Sequence, residues 1–259
     1  MKNTNQLFQN GTGAIVVPGL FDGTLSIKEL LSHGDTGIGS GDGLDGELII
    51  VDGKPYKIAG DGNVTIVSDD FTVPFGNAHF ADFKDFEVKD NLSIDELNDE
   101  IFNKEKLQNT QFAIKLHGTF QSVKVRSVYK QSKPYPNLIK TAESEHIFNG
   151  EKVTGTIIGY YNPSPFSQIA VYGFHMHFIA DDLSIGGHLS DFRNFNGEFG
   201  IQKFNQFILQ LPTDNKEFLE HDFSKDDIEG AINQTSKDNS QKNFFNKVLF
   251  CIFYSDFTY

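Results

Sequence analysis

The residues best suited to chemistry in this chain are three histidines in one short stretch, VYGFHMHFIADDLSIGGHLSDF, residues 171–192. His175 and His177 are separated by one residue, and His188 follows eleven positions after His177. Alternate side chains of a β-strand share a face, so His175 and His177 are expected on one face, about 7 Å apart at their Cα atoms. Imidazoles at that separation can converge on one metal ion.

The segment between the two strands predicts where His188 lies. ADDLSI contains good turn residues, and a hairpin centred on Asp182–Leu183 places His188 directly opposite His177, with Cβ atoms about 5 Å apart. Gly186 and Gly187 are expected to keep the approach to the ion open. Three nitrogen ligands with a vacant fourth position are typical of catalytic zinc, although imidazole also suits iron, nickel and copper.

An isolated His-x-His pair on a strand is more often a pair of surface side chains than a pair of ligands. Here the third histidine at hairpin register and the two glycines beside it favour a metal site. The remaining histidines lack such company and are interpreted as structural or solvent-exposed: His33, His79, His117, His146 and His221.

Composition excludes several function classes. The 259 residues carry a net charge of −13 and have no basic run, so a nucleic acid or an anionic membrane surface is not an expected partner. One cysteine, Cys251, allows neither an intrachain disulfide nor a cysteine-based zinc site. The first residues lack the pattern of a secretory signal, and no apolar run reaches the roughly 20 residues that span a bilayer. A soluble cytoplasmic protein is expected, with a core rich in phenylalanine.

Strands predominate in the predicted elements. GELIIVDGKPYKI reads as a hairpin around Asp52-Gly53, QFAIKLHGTFQSVKVRSVY as two strands that meet near Gly118, and KVTGTIIGYYNP as a strand stopped by Pro163. FGIQKFNQFILQLP supplies further strands. Capping signals at Ser26 and Ser93 predict two helices, the first over Ile27–His33 and the second with Ile94, Leu97 and Ile101 on one face; two more are expected around Lys216–His221 and Asp226–Gln234. This order favours an α+β fold.

Taken together, these motifs resemble the α-acetolactate decarboxylase family. The resemblance runs through GLFDGTLSIKELLSHGDTGIG, LDGELIIVDGKPY, FAIKLHGTFQSVKVRSVYKQSKPYPNL, GTIIGYYNPSPF and GFHMHFIADDLSIGGHLSDF, and the last segment is the most specific. It implies an α+β fold of two related halves, about 1–140 and 141–238, in one catalytic domain over 1–238. Residues 239–259 form an atypical tail that the resemblance does not cover. It also implies a cytoplasmic, zinc-dependent enzyme that is usually a homodimer.

The implied reaction converts α-acetolactate (2-hydroxy-2-methyl-3-oxobutanoate) to (R)-acetoin and CO2 in acetoin biosynthesis. His175, His177 and His188 match the metal ligands of the family, Arg126 matches its site arginine, and Glu47 matches a carboxylate near the metal. Zinc suits a reaction that develops negative charge on oxygen, and arginine suits a substrate carboxylate. A carboxyl group can deliver the proton that replaces CO2. From the residues alone, Arg126 resembles its neighbour Lys124, a solvated charge, and Glu47 resembles an exposed acid.

One departure from the family concerns a second carboxylate, which in the family comes from the C-terminal segment. An ungapped alignment places Gln234 there, whereas a shifted one allows Glu229 to serve. Glutamine cannot transfer a proton as an acid. The alternatives are therefore a shifted alignment, Glu47 working alone, or a weakly active or non-catalytic zinc-binding homologue. A zinc hydrolase is a further alternative, less suited to Arg126, which favours an anionic substrate.

Overall fold

Two large β-sheets, a small sheet of β2 and β7, and a few short helices make up the protein, seen in a computed structural model that describes residues 2–167 and 169–235. The strands are β1 Gln6–Asn10, β2 Leu25–Ser26, β3 Thr36–Ser40, β4 Glu47–Val51, β5 Lys54–Ile58, β6 Val64–Ile66, β7 Thr72–Val73, β8 Phe75–His79, β9 Lys84–Asp85, β10 Phe112–Ser127, β11 His146–Asn162, β12 Gly173–Ala180, β13 Gly186–Lys203 and β14 Gln206–Gln210. The α-helices are α1 Gly13–Val16, α2 Ile27–Ser32, α3 Ile94–Lys104, α4 Leu138–Ala142, α5 Lys216–Glu220 and α6 Ile228–Thr235; short 3-10 turns cover Ser164–Phe166 and Phe223–Lys225. The predicted α+β class is confirmed.

The first sheet has seven strands in the order β14-β1-β8-β3-β4-β5-β6. Its neighbours are antiparallel except β1 and β14, which are parallel. The predicted β4–β5 hairpin is confirmed: Val51 pairs with Lys54, and Asp52 and Gly53 between them have φ values of 51° and 76°. Two successive positive φ values are typical of the tight turns that match strand twist. This hairpin fixes the start of β4, where Glu47 lies.

The second sheet has the order β10-β11-β12-β13-β9, and β13 also pairs back with β10, so four strands close on themselves. The expected break at Gly118 is wrong, because β10 is one strand of 16 residues. Gly118 lies between Gly155 of β11 and Gly197 of β13, and a Cβ built on it would come within 2.3 Å of the Asn196 carbonyl oxygen. Glycine there permits a close approach of strands instead of ending one.

Phenylalanine fills the closed sheet, as composition indicates. Its core includes Phe112, Phe120, Phe178, Phe192, Phe195 and Phe199. Helix α3 covers one opening with Ile94, Leu97 and Ile101 buried, as predicted, and the Glu96 carboxylate accepts a 3.0 Å hydrogen bond from the backbone N–H of Ser93. Ser26 caps the start of α2, as predicted. The helix ends at Ser32, one residue earlier than expected.

A separate apolar layer joins the two sheets. Ile38, Ile49 and Ile58 of the first sheet pack with residues of the second, among them Ile158 and Ile179. Strand β4 lies against both β12 and β13. The start of β4 is therefore held beside the β12–β13 hairpin by hydrophobic packing.

The second sheet is formed by one consecutive block, β9 to β13, and β14 then returns to the first sheet. Two of the late helices that the sequence predicts are present as α5 and α6. Residues 239–259, singled out as an atypical tail, lie outside the described residues. Among those that are described, no helix is long and apolar enough to cross a membrane.

His79 is a buried histidine that should make stability depend on pH. Its Nδ1 lies 2.8 Å from the Tyr160 hydroxyl, and burial lowers its pKa to about 3. Unfolded histidine titrates near 6.5, so between these values the unfolded state binds the extra proton and stability falls as pH falls. We expect the titration of His79 to lower the free energy of unfolding by about 2 kcal/mol between pH 7 and pH 5.

Urea unfolding at the two pH values measures this effect. His79→Gln should lessen the loss between pH 7 and pH 5, whereas His146→Gln, at an exposed position, should leave it as in the parent. Identical pH dependence in the parent and in His79→Gln would show that His79 does not titrate on unfolding.

Candidate metal centre

The three predicted histidines converge between β12 and β13. His177 pairs with His188 across the hairpin, which is the register predicted from the turn sequence. One ring nitrogen from each of His175, His177 and His188 lies within 4.8 Å of the others, and the ring centroids are 5.0–5.4 Å apart. Within the described residues this is the one such cluster of three metal-binding side chains. The arrangement could hold a metal ion.

The hydrogen bonding of His177 suits a ligand. Its Nδ1 lies 2.7 Å from the backbone carbonyl oxygen of Leu48, on β4. A carbonyl only accepts, so Nδ1 carries the proton and Nε2 presents a lone pair. Nε2 is buried and makes no hydrogen bond within the described part of the chain. A buried nitrogen of this kind is the position a cation would satisfy, with the Leu48 carbonyl orienting the ring from behind.

Burial also keeps the three rings neutral. Loss of solvent, with a smaller contribution from the Arg126 charge, lowers the pKa of His175 to about 4. The same causes, mainly burial, hold the pKa values of His177 and His188 well below their ordinary range. Neutral imidazole is the form that binds metals, so no proton has to leave the ligands at neutral pH.

The two hairpin glycines allow close packing of strands. Gly187 has a φ of 138°, and a Cβ on it would lie 2.5 Å from the Arg126 carbonyl oxygen. A Cβ on Gly186 would meet the Phe178 carbonyl oxygen and the Ile58 side chain, both at 2.9 Å. These glycines let β13 approach β10 and the first sheet closely. That they also keep the approach to the ion open stays a prediction.

Arg126 is brought to the triad by strand pairing. It lies opposite His188 in the β10–β13 register, and its Nη2 is 3.1 Å from His188 Nε2. Its side chain is only 17% exposed, unlike that of Lys124, which is exposed on the same strand. Strand alternation alone puts Lys124 and Arg126 on one face. The difference arises because the segment from α4 to β11 covers Arg126.

That segment contributes Glu145, a residue that the sequence analysis did not identify. Both carboxylate oxygens of Glu145 accept hydrogen bonds from Nη1 of Arg126, at 2.7 and 2.8 Å. The sequence does contain a signal, since pairing of β10 with β11 brings Ile147 opposite Arg126 and so makes Glu145, two residues earlier, the diagonal neighbour of Arg126 on the same face. Finding it requires the register of two long strands.

Glu47 begins β4 directly after Gly46, and its Oε2 lies 3.3 Å from His177 Nε2. Burial raises its pKa to about 8, the Arg126 charge opposes this shift, and the Glu145 charge reinforces it. The carboxyl group is therefore protonated at neutral pH in the metal-free chain, whereas a cation at the triad would lower its pKa. An acid in this position can donate a proton or help bind a cation.

These side chains border a cavity of about 150 Å³. Its lining includes polar residues, Glu47, Arg126, Glu145, His175 and His188, and apolar residues, among them Val16, Leu44, Phe75, Val128 and Leu138. A guanidinium beside three imidazoles suits a small anion, and the apolar residues suit alkyl groups.

Helix α6 lies close to this cavity. It packs against α4, whose residues line the cavity, and Ile232 lies against Gly13, another lining residue. Both alternatives for the second carboxylate position, Glu229 and Gln234, belong to α6, and their side chains lie outside the described residues.

Comparison with known proteins identifies the family of this chain. The model of the alpha-acetolactate decarboxylase family matches residues 7–225. The chain is 36% identical over 231 residues to the alpha-acetolactate decarboxylase of Lactococcus lactis subsp. cremoris, covering 88% of this chain and 96% of the relative. It is 35% identical over 232 residues to that of Bacillus licheniformis, covering 89% and 91%.

Solved structures give the same result. The crystal structure of alpha-acetolactate decarboxylase from Bacillus subtilis strain 168 superposes with a TM-score of 0.84 at 31% identity, covering 89% of this chain and 99% of that one. A Staphylococcus aureus protein described as similar to the enzyme also gives a TM-score of 0.84, at 32% identity, covering 89% and 100%. The chain belongs to the alpha-acetolactate decarboxylase family.

Proposed function

We propose that this protein catalyses the decarboxylation of α-acetolactate (2-hydroxy-2-methyl-3-oxobutanoate) to (R)-acetoin and CO2, with zinc bound by His175, His177 and His188. The observation that carries the proposal is the convergence of three neutral imidazoles beside a small cavity, which two of them line together with a largely buried guanidinium and a largely buried carboxyl group. The family to which the chain belongs supports the same reaction.

Zinc is the proposed ion because three imidazole donors suit it and because the family resemblance implies it. The orphaned Nε2 of His177 and its fixed tautomer fit such an ion. When bound, zinc supplies Lewis acidity for the negative charge that develops on substrate oxygen during decarboxylation. Glu47 is close enough to the triad to assist its binding or to remain available as an acid.

The chain's own residues account for the remaining steps. Arg126 binds and orients the substrate carboxylate through charge-assisted hydrogen bonds. The bond between C2 and the carboxylate carbon then breaks, CO2 departs, and the electron pair stays on the substrate as an enediolate, shared between C2 and the keto oxygen. Glu47, in its protonated form, donates a proton to C2 from one side of the cavity, which gives a single enantiomer of acetoin. The apolar lining residues exclude water from this step.

The second acid is proposed to come from α6, as Glu229, with Gln234 as the alternative alignment. Packing of α6 on α4 supports a closing role for this helix. A second candidate function, a weakly active or non-catalytic zinc-binding homologue, rests on glutamine at position 234. Gln234→Glu separates the two: a rise in turnover of orders of magnitude indicates a weakened enzyme, and an unchanged rate indicates that Glu229 or Glu47 suffices.

One assay tests the proposed function. Purified protein should contain about one zinc per chain and should release CO2 and acetoin in equal amounts from racemic acetolactate, with (R)-acetoin identified by chiral chromatography. Removing the metal with a chelator should abolish turnover, and adding zinc should restore it. A zinc-loaded protein that makes no acetoin would refute the decarboxylase assignment.

We further infer a cytoplasmic homodimer that acts on a small molecule, built as one catalytic domain over 1–238 from two related halves that meet near residue 140. The family resemblance supports this organisation. Surface isoleucines near both edges of the first sheet, Ile66 on β6 and Ile208 on β14, offer apolar area that a second copy can cover. Sedimentation equilibrium measures the oligomeric state directly.

A further inference from the structure

We propose that Glu145 is a resident counter-ion of Arg126, which occupies its guanidinium between turnovers and prevents simple carboxylates from filling the cavity. This inference rests on the proposed function, in which Arg126 binds the substrate carboxylate. Glu145 is a positioning residue in this proposal, because it acts through Arg126.

The contacts of Arg126 support this role. Nη1 donates to both oxygens of Glu145, at 2.7 and 2.8 Å, and Nη2 reaches His188 Nε2 at 3.1 Å. The guanidinium thus bridges the cavity wall and the histidine triad. The side chains are 17% and 23% exposed, so the pair is partly shielded from water and its attraction exceeds that of a surface pair.

The backbone fixes Glu145 in this place. It precedes the first residue of β11, whose register places His146 opposite Ser127, next to Arg126. On its N-terminal side the chain is held by the end of α4, where the Ser144 hydroxyl donates to the Thr141 carbonyl at 2.7 Å. The carboxylate is therefore presented to Arg126 by ordered structure on both sides.

A guanidinium already paired with an internal anion binds an external carboxylate less tightly than a free one does. A simple carboxylate that binds Arg126 must compete with Glu145 for it. The substrate carries, on the same molecule, hydroxyl and keto oxygens that bind elsewhere in the cavity, so it recovers the affinity that Glu145 removes. Acetoin has no carboxylate, and its departure leaves Arg126 paired with Glu145 again. The Arg126–Glu145 pair thus keeps the cavity free for the substrate.

Acetate binding to the zinc-loaded enzyme tests the proposal, measured by calorimetry so that turnover is not needed. Glu145→Gln keeps the side-chain shape but removes the charge, and acetate affinity is expected to rise about tenfold. Acetamide, the neutral analogue of acetate, should bind the parent and the variant alike. The KM for acetolactate should fall in the variant, while merely structural damage would lower the active fraction without strengthening acetate binding.

Two further variants make the outcome specific. Glu143→Gln removes the same charge at an exposed position two residues away and should leave acetate affinity unchanged. Adding Arg126→Gln to Glu145→Gln should abolish the gain in acetate affinity. Unchanged acetate affinity in Glu145→Gln, or an equal gain in Glu143→Gln, would overturn the proposal. Absence of acetoin production by the parent would instead refute the decarboxylase assignment, since acetate binding is measured independently of it.

Discussion

His175→Ala is expected to lose both bound zinc and turnover. Removing one of three nitrogen donors leaves two, His177 and His188, which cannot hold the ion at the affinity of a complete site. Loss of the charge stabilisation that the ion supplies should lower turnover by roughly a thousandfold or more. Metal content by mass spectrometry and acetoin formation are measured on the same preparation.

His117→Ala is the matched control. His117 lies on β10 outside the cavity, is 44% exposed and contacts Asp181 at 3.1 Å, so its replacement should change neither zinc content nor rate. Zinc should raise the thermal midpoint of the parent and of His117→Ala, because a ligand that binds only the folded state stabilises it. His175→Ala should show no such rise. Full turnover in a zinc-free His175→Ala protein would rule out the triad as the catalytic metal site.

Glu47→Gln is expected to retain zinc and to lose most of its activity. The three histidines remain, so metal content should stay near that of the parent, but an amide cannot donate the proton that replaces CO2. Loss of a general acid typically costs about 10²–10⁴ in rate. The acetoin that still forms should be less enantiomerically pure, because the proton then comes from water.

The pH profile adds a second readout for Glu47. Its pKa in the metal-free chain is raised to about 8, and a bound cation brings it lower. Since the protonated form is the donor, parent activity should fall as pH rises through this pKa, and Glu47→Gln should lose that alkaline limb. Asp45→Asn, in the loop that precedes β4 and paired with Lys57 at 2.8 Å, should keep it. A Glu47→Gln enzyme with the parent's rate would exclude Glu47 as the acid.

The local features of the site could be predicted from sequence because they follow from short-range rules. Strand alternation placed His175 and His177 on one face, and turn composition placed His188 opposite His177. Capping signals located the starts of α2 and α3. Each of these depends on a few neighbouring residues, for which backbone geometry leaves few alternatives.

The features that depend on distant packing could not be predicted in this way. Gly118 was interpreted as a break because a single sequence does not show that two other glycines face it across the sheet. Burial of Glu47 and Arg126 comes from contact between the two sheets and from the α4–β11 segment. The family resemblance indicates the roles of these two residues. Glu145 lies outside the motifs that carry the resemblance, so only the tertiary structure identifies it.

The hydrogen bond from His177 to the Leu48 carbonyl has a consequence for how metal affinity can evolve. His177 belongs to the second sheet and Leu48 to the first, so the orientation of a metal ligand depends on how the two sheets are docked. Substitutions at the intervening apolar layer, such as Ile49 or Ile158, can therefore tune metal affinity without touching a ligand. Conversely, metal loading should slow amide exchange along β4. The affinity of the site for a metal thus depends on packing in the hydrophobic core as well as on the ligands.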